Sequence, residues 1–141
     1  MIFALDTSVL SALRKRDSAV ERWAGGVEAD ATYVPAPVLM EIRYGIDRLR
    51  LRGDEAQART LDAWLEAFVH TFGRRVLDLT AEAAIVAGRL LAHPQAPGMA
   101  DCMIAAVAHV HGATVVTGNA RDFARTGVPW INPWDGPELA P

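Results

Sequence analysis

The amino-acid sequence predicts an α/β protein with a central, mainly parallel sheet and helices on both of its faces. Residues 2–5 form a short apolar run of the kind found in buried parallel strands. Residues 113–117 are rich in β-branched side chains and are the strongest strand signal in the chain. Strand patterns alternate with helical patterns along the whole chain, and this alternation is typical of parallel sheets joined by crossover helices.

The individual elements follow from local patterns. Short apolar or β-branched runs predict strands at residues 2–5, 32–34, 76–79, 113–117 and 128–131. Helical spacing of apolar side chains predicts helices at residues 9–13, 19–23, 37–49, 54–69, 80–91, 99–111 and a short piece at 121–123. Asp17, Asp54 and Thr80 are suited to begin helices, while Gly112 is expected to end one.

Length and charge limit the class of protein. A chain of 141 residues predicts one domain over residues 1–141, and its formal charge of −3 gives no overall basic surface for nucleic acid. Cys102 is the lone cysteine, so the chain cannot form an internal disulfide. The apolar residues at the start are too few for a signal peptide, and no apolar run approaches the roughly 18 residues that cross a bilayer. We therefore expect a soluble, cytoplasmic protein.

Four acidic residues have apolar or small neighbours in the sequence, unlike the other acids of the chain. They are Asp6, Glu41, Asp101 and Asp122. Asp6 and Asp122 follow predicted strands, whereas Glu41 and Asp101 lie in the first turns of predicted helices. Because ligands of open α/β sheets bind at the carboxyl ends of the strands, we expect these side chains to converge at one end of the sheet.

Two explanations of these acids remain open on spacing alone. Carboxylates in apolar surroundings repel one another, and a divalent cation would replace that repulsion with attraction. The same positions also suit helix capping and the favourable field at a helix N-terminus. Zinc is disfavoured, because the chain has no cluster of Cys and His residues.

Blocks of sequence in a fixed order resemble a known family. The four main blocks are residues 5–8 (LDTS), 38–45 (VLMEIRYG), 99–106 (MADCMIAA) and 116–123 (VTGNARDF). Together they resemble the blocks of PIN domains, and residues 126–128 (TGV) and 131–134 (INPW) resemble those of VapC-like ribonuclease toxins. The resemblance implies a PIN-like three-layer α/β/α sandwich around a central, mainly parallel sheet.

The resemblance also implies a function. It implies an endoribonuclease dependent on Mg²⁺ or Mn²⁺, the toxin of a type II toxin–antitoxin pair, acting on tRNA or on other structured or single-stranded RNA. By position, Asp6 and Asp101 are the expected metal ligands, and Glu41 and Asp122 complete the catalytic acids. The expected supporting polar side chains are Thr7, Ser8, Thr117 and Asn119. The implied partners are a cognate VapB-like antitoxin and a second copy of the chain in a homodimer, with no membrane involved.

The sequence departs from the family pattern at two places. Gly118 stands where these toxins often have an arginine, and residues 94–98 are proline-rich where the family is often basic. Arginines elsewhere offer a local basic rim for RNA, although each is individually expected on an ordinary solvated surface. They are Arg43, Arg48, Arg50, Arg52, Arg74, Arg75 and Arg121.

Two other functions fit an acidic pocket at the end of a sheet. One is a phosphotransfer or phosphatase domain, which usually needs a lysine late in the sheet. The sole lysine here is Lys15, in the first predicted helix. The other is a catalytically inactive PIN-like binding module, which the intact acids disfavour. Metal-dependent cleavage of RNA would distinguish a ribonuclease from both of these alternatives.

Overall fold

The computed structural model describes residues 1–136 and has a fully parallel, five-stranded sheet at its centre. The strands are β1 (Phe3–Leu5), β2 (Thr32–Pro35), β3 (Val76–Leu77), β4 (Thr114–Val116) and β5 (Trp130–Ile131). Their order across the sheet is β3-β2-β1-β4-β5. The chain builds outward from β1 on one side and then returns to its other side, so the strand order reverses between β1 and β4. Ligands of such sheets bind at this reversal.

Helices join the strands and cover the sheet, as the sequence predicts. They are α1 (Thr7–Arg14), α2 (Ser18–Gly25), α3 (Ala36–Leu51), α4 (Glu55–Phe72), α5 (Ala81–Leu91), α6 (Met99–Val110) and α7 (Ala120–Ala124). Short 3₁₀ turns cover Ala29–Ala31 and Pro133–Asp135. The α/β fold class is confirmed, while residues 137–141 of the predicted domain lie outside the described part.

The predicted helix ends are confirmed by their hydrogen bonds. Side-chain oxygens of Asp17, Asp54 and Thr80 accept backbone N–H groups at the starts of α2, α4 and α5. Gly112 follows α6 with φ at +68°, a conformation that glycine adopts without steric cost. These local signals are independent of the rest of the fold, which is why the sequence alone reveals them.

Four strands, β1, β3, β4 and β5, are shorter than predicted, and β3 and β5 show that a strand needs a neighbour with which to pair. Leu77 pairs with Pro35, where β2 ends and α3 begins, so Asp78 and Leu79 have no partner strand. The last strand pairs with β4 only at Trp130 and Ile131.

The core lies where α6 packs against the sheet. Residues 104–108 of this helix are fully buried, as is Phe123 of α7. Cys102 is buried and its Sγ contacts the carbonyl oxygen of Pro97, so it is the small core residue that the sequence predicts. Among residues 1–136, no helix is both long and apolar enough to cross a membrane.

Three of the arginines considered for a basic rim are occupied by contacts within the chain. Arg43 and Arg50 of α3 both bind Asp62 of α4 and Asp47 of their own helix. Arg75 donates to backbone oxygens near the start of β2 and lies over the ring of Phe72. Acidic side chains therefore balance the charges of Arg43 and Arg50, while Arg75 is engaged by backbone oxygens and by Phe72.

Candidate active site

Asp6 lies at the centre of the carboxyl edge of the sheet, where β1 turns into α1. One carboxylate oxygen accepts the backbone N–H of Thr7 at 2.8 Å, which caps the helix. The other accepts the hydroxyl of Thr117 at 2.7 Å and that of Ser8 at 3.3 Å. The side chain is 4% exposed. Asp6 is therefore both a helix cap and the most deeply buried acid of the site, and the two predicted roles do not exclude each other.

Glu41 approaches Asp6 from α3. Thr7, the residue that follows Asp6, donates its hydroxyl to Oε1 of Glu41 at 2.8 Å. The contact joins the first helix to the third across thirty-four positions of sequence. Ala36 and Pro37 begin α3 directly after β2, and this places Glu41 on its second turn beside the end of the sheet.

Asn119 connects the other two acids. Its side-chain amide donates to Asp122 at 2.7 Å and to Asp101 at 3.3 Å. Its backbone N–H donates to the hydroxyl of Thr117 at 2.8 Å, the same hydroxyl that binds Asp6. The turn after β4 therefore holds three of the four acids through two side chains, and each predicted supporting residue contacts the acidic site.

The negative charges of the four acids repel one another. Burial raises the pKa of Asp101 to about 6, with further increases from the charges of Asp6, Glu41 and Asp122. Burial also raises the pKa of Glu41, and the charge of Asp6 adds to the increase while the hydroxyl of Thr7 opposes it. The pKa of Asp6 is raised by burial, against three hydrogen bonds that stabilise its charge. The structure thus brings all four predicted acids into one electrostatic unit.

The chemistry of this donor set suits a hard divalent cation. None of the ion pairs among residues 1–136 involves these four carboxylates. In the same part of the chain, no group of three or more Asp, Glu, His or Cys side chains is arranged to hold a metal ion by itself. An open arrangement of oxygen ligands fits Mg²⁺, which keeps several waters and binds one or two carboxylates directly. It does not fit a closed zinc site.

The raised pKa of Asp101 predicts how stability depends on pH in the presence of a chelator. Its pKa is about 6 in the folded protein against 3.8 for a free side chain, so the unfolded state loses its proton first as pH rises. The contribution of Asp101 to the free energy of unfolding therefore falls between pH 4 and pH 6 and stays low above. We expect a difference on the order of 1 kcal/mol, because the half-exposed carboxyl is screened by solvent.

Thermal melting in EDTA at pH 4 and pH 7.5, compared between the wild type and Asp101→Asn, measures this effect. The variant should gain stability relative to the wild type at pH 7.5 but not at pH 4. An equal difference between the two proteins at both pH values would contradict the prediction.

Sequence reasoning did not predict the contacts that Trp134 makes beside the acids. Trp134 lies against Gly118, and its indole N–H donates to Asp17 at 3.3 Å. The INPW block of residues 131–134 is the sequence signal that contains the tryptophan, but the contacts of Trp134 are visible only in the three-dimensional structure.

Lys15 lies far from the acids. It follows α1 at the end opposite to Asp6, and it is exposed.

Comparisons with known proteins agree with this fold. The family model of the PIN domain matches residues 3–129. A VapC ribonuclease, Y4jK of Sinorhizobium fredii, is 31% identical over 95% of the chain and 99% of its own length.

Solved structures share the architecture. FitAcB from Neisseria gonorrhoeae superposes with a TM-score of 0.82 at 25% identity, covering 94% of this chain and 99% of that one. DNA-bound VapBC from Salmonella typhimurium gives a TM-score of 0.69 at 27% identity, covering 94% and 98% of the two chains.

Proposed function

Since the chain belongs to the PIN domain family, we propose that its acidic pocket binds Mg²⁺ or Mn²⁺ and that the protein is a metal-dependent endoribonuclease of the VapC toxin type. One observation carries the proposal: four carboxylates from separate elements lie close enough at the strand-order reversal for their charges to act on one another. The 31% identity to a VapC ribonuclease over nearly the whole of both chains supports RNA as the substrate.

Asp6 and Asp101 are the proposed metal ligands. Asp6 is held in one orientation by Thr7, Ser8 and Thr117, and Asp101 by the amide of Asn119. A divalent cation bound there supplies a water of lowered pKa and stabilises negative charge that develops on the scissile phosphate. Fixed carboxylates do not have to reorganise to bind it, so the supporting hydrogen bonds contribute to affinity.

Glu41 and Asp122 complete the proposed site from either side. Glu41 accepts the hydroxyl of Thr7, and its raised pKa makes it a better proton acceptor than an ordinary glutamate. Asp122 accepts the amide of Asn119. We assign to these two acids the orientation of the attacking water or the binding of a second ion.

The proposed partners follow from the same relatives. VapBC of Salmonella typhimurium was solved bound to DNA, and this chain shares its fold over 94% of its length. We propose that a VapB-like antitoxin neutralises this protein and that the antitoxin's tail occupies the acidic pocket. We further propose that the toxin is a homodimer.

The position of Lys15 disfavours a phosphotransfer or phosphatase function. Asp6 caps the start of α1 and Lys15 caps its end, so eight helical residues, or roughly 12 Å, separate them. The sole lysine therefore cannot hold a phosphate at the acids. The intact acids and their supporting side chains likewise disfavour an inactive binding module.

Removal of the metal tests the function directly. We expect the purified protein to cleave total RNA or tRNA in Mg²⁺ or Mn²⁺ and to lose that activity in excess EDTA, because the acids alone repel both one another and the phosphate. Adding the cation back in excess should restore cleavage, as followed by gel electrophoresis of end-labelled RNA. Cleavage that persists in EDTA after dialysis would contradict the proposal.

A further inference from the structure

Trp134 lies at the same edge of the sheet as the acidic pocket. It belongs to the 3₁₀ turn Pro133–Asp135 that follows β5, and β5 pairs in parallel with β4. The residues after β4 are the ones that hold the acids. Trp134 remains 39% exposed. A large aromatic side chain is therefore accessible to solvent beside the proposed site of RNA cleavage.

Gly118 shows how closely the indole approaches the site. A Cβ atom at position 118 would lie 2.7 Å from Cζ3 of Trp134 and 3.2 Å from Cε3. The backbone of Gly118 is not in the left-handed region, so space for the tryptophan is what requires a glycine here. The N–H of Gly118 donates to Ser8, whose hydroxyl donates to Asp6. Gly118 and Ser8 thus connect the indole of Trp134 to Asp6.

Asp17 fixes the orientation of the ring. One of its oxygens caps α2 by accepting the N–H groups of Ala19 and Val20 at 3.0 and 3.1 Å. The other accepts the indole N–H of Trp134 at 3.3 Å. A ring held by a helix cap loses little conformational freedom when it binds a ligand, which favours binding.

We propose that Trp134 stacks on a nucleobase of single-stranded RNA next to the cleaved phosphate, with Asp17 holding the ring in place. The proposal rests on the proposed function. The chain carries a formal charge of −3, and Arg43, Arg50 and Arg75 are engaged within the fold. Stacking provides affinity that needs no positive charge, and it is sequence-tolerant because every base has a π-face.

Steady-state kinetics test this stacking. The substrate is a single-stranded oligoribonucleotide that the wild type cleaves at one position. For Trp134→Ala we expect KM to rise about tenfold with kcat nearly unchanged, while Trp134→Phe keeps most of the affinity because phenylalanine also stacks. Copies of the RNA with one abasic nucleotide at each position near the cut identify the base. One abasic position should raise KM for the wild type and have no further effect on Trp134→Ala.

Two further variants separate stacking from a structural role. Asp17→Asn keeps the oxygen that caps α2 but replaces the acceptor of the indole N–H, so KM should rise about two- to threefold without a change in melting temperature. Gly118→Ala displaces the ring and should raise KM while Trp134 itself is retained.

Several results would overturn the proposal that Trp134 stacks on a base. If Trp134→Ala lowers kcat and shifts the pH profile at constant KM, the residue positions the turn of Thr117 and Asn119 instead of binding RNA. If every abasic position is additive with the substitution, no base stacks there. A wild type that cleaves no RNA in Mg²⁺ or Mn²⁺ removes the proposed function itself, a failure visible without any Trp134 variant.

Discussion

The Asp101→Asn variant is expected to lose RNA cleavage by at least about a hundredfold while remaining folded. Asp101 is a proposed metal ligand, and the amide that replaces it is a weaker, neutral ligand for a hard cation. Its surroundings raise its pKa to about 6, so removal of the charge also relieves repulsion among the acids. The melting temperature in EDTA should therefore be equal to or above that of the wild type at pH 7.5.

Glu82→Gln is the matched control for Asp101→Asn. Glu82 is also an acid in the first turn of a helix, but it is exposed on α5 and makes no contact with the pocket. Its loss removes the same charge from the chain and should leave the cleavage rate unchanged. Initial rates on end-labelled RNA compare the two variants. Wild-type activity in Asp101→Asn would refute the assignment of this residue.

Thr117→Val is expected to weaken both activity and stability. The fully buried hydroxyl of Thr117 donates to Asp6 at 2.7 Å and accepts the N–H of Asn119 at 2.8 Å. Valine has the same shape but leaves both groups without this partner, at a cost of about 1–3 kcal/mol in the free energy of unfolding. Asp6 and Asn119 also lose their fixed orientation, so we expect metal affinity or cleavage to fall about 10- to 100-fold.

The chain offers a close control in Thr126→Val. Thr126 is a buried threonine that donates to the carbonyl of Phe123 and accepts the N–H of Val128, so it has the same hydrogen-bonding pattern away from the acids. The control should lose comparable stability in urea unfolding yet keep its specific activity at a temperature where it is folded. Equal loss of activity in both variants would show that stability, and not the support of Asp6, explains the effect.

The acids could be predicted from sequence because each stands out from its own neighbours. Asp6 follows an apolar strand, and Asp101 lies in the first turn of a largely buried helix. Parallel strands bring such residues to one edge of the sheet, whichever order the strands take. The helix caps at Asp17, Asp54 and Thr80 were predictable for a related reason, since they depend on hydrogen bonds within a few residues.

The ion pairs of the arginines could not be predicted from the sequence. Arg43 and Arg50 appear in the sequence as part of a basic surface, and only the packing of α3 against α4 brings them to Asp62. Local sequence reports the charge of a residue but not the residue that will balance it. Predictions of RNA-binding surfaces from sequence charge alone are therefore weakest on helices that pack together.

Local patterning thus determined the fold class, the helix ends and the identity of the acids, because these depend on periodicity and on contacts between near neighbours. Tertiary structure decided what surrounds the acids. Asn119 reaches Asp101 across eighteen positions, and Trp134 reaches Asp17 across 117. The glycine at position 118 likewise has its reason in a tryptophan that follows a different strand. Such contacts arise from the pairing of β5 with β4 and from the packing of α6 against β4. No local pattern encodes the distance between two side chains that only the tertiary structure brings together.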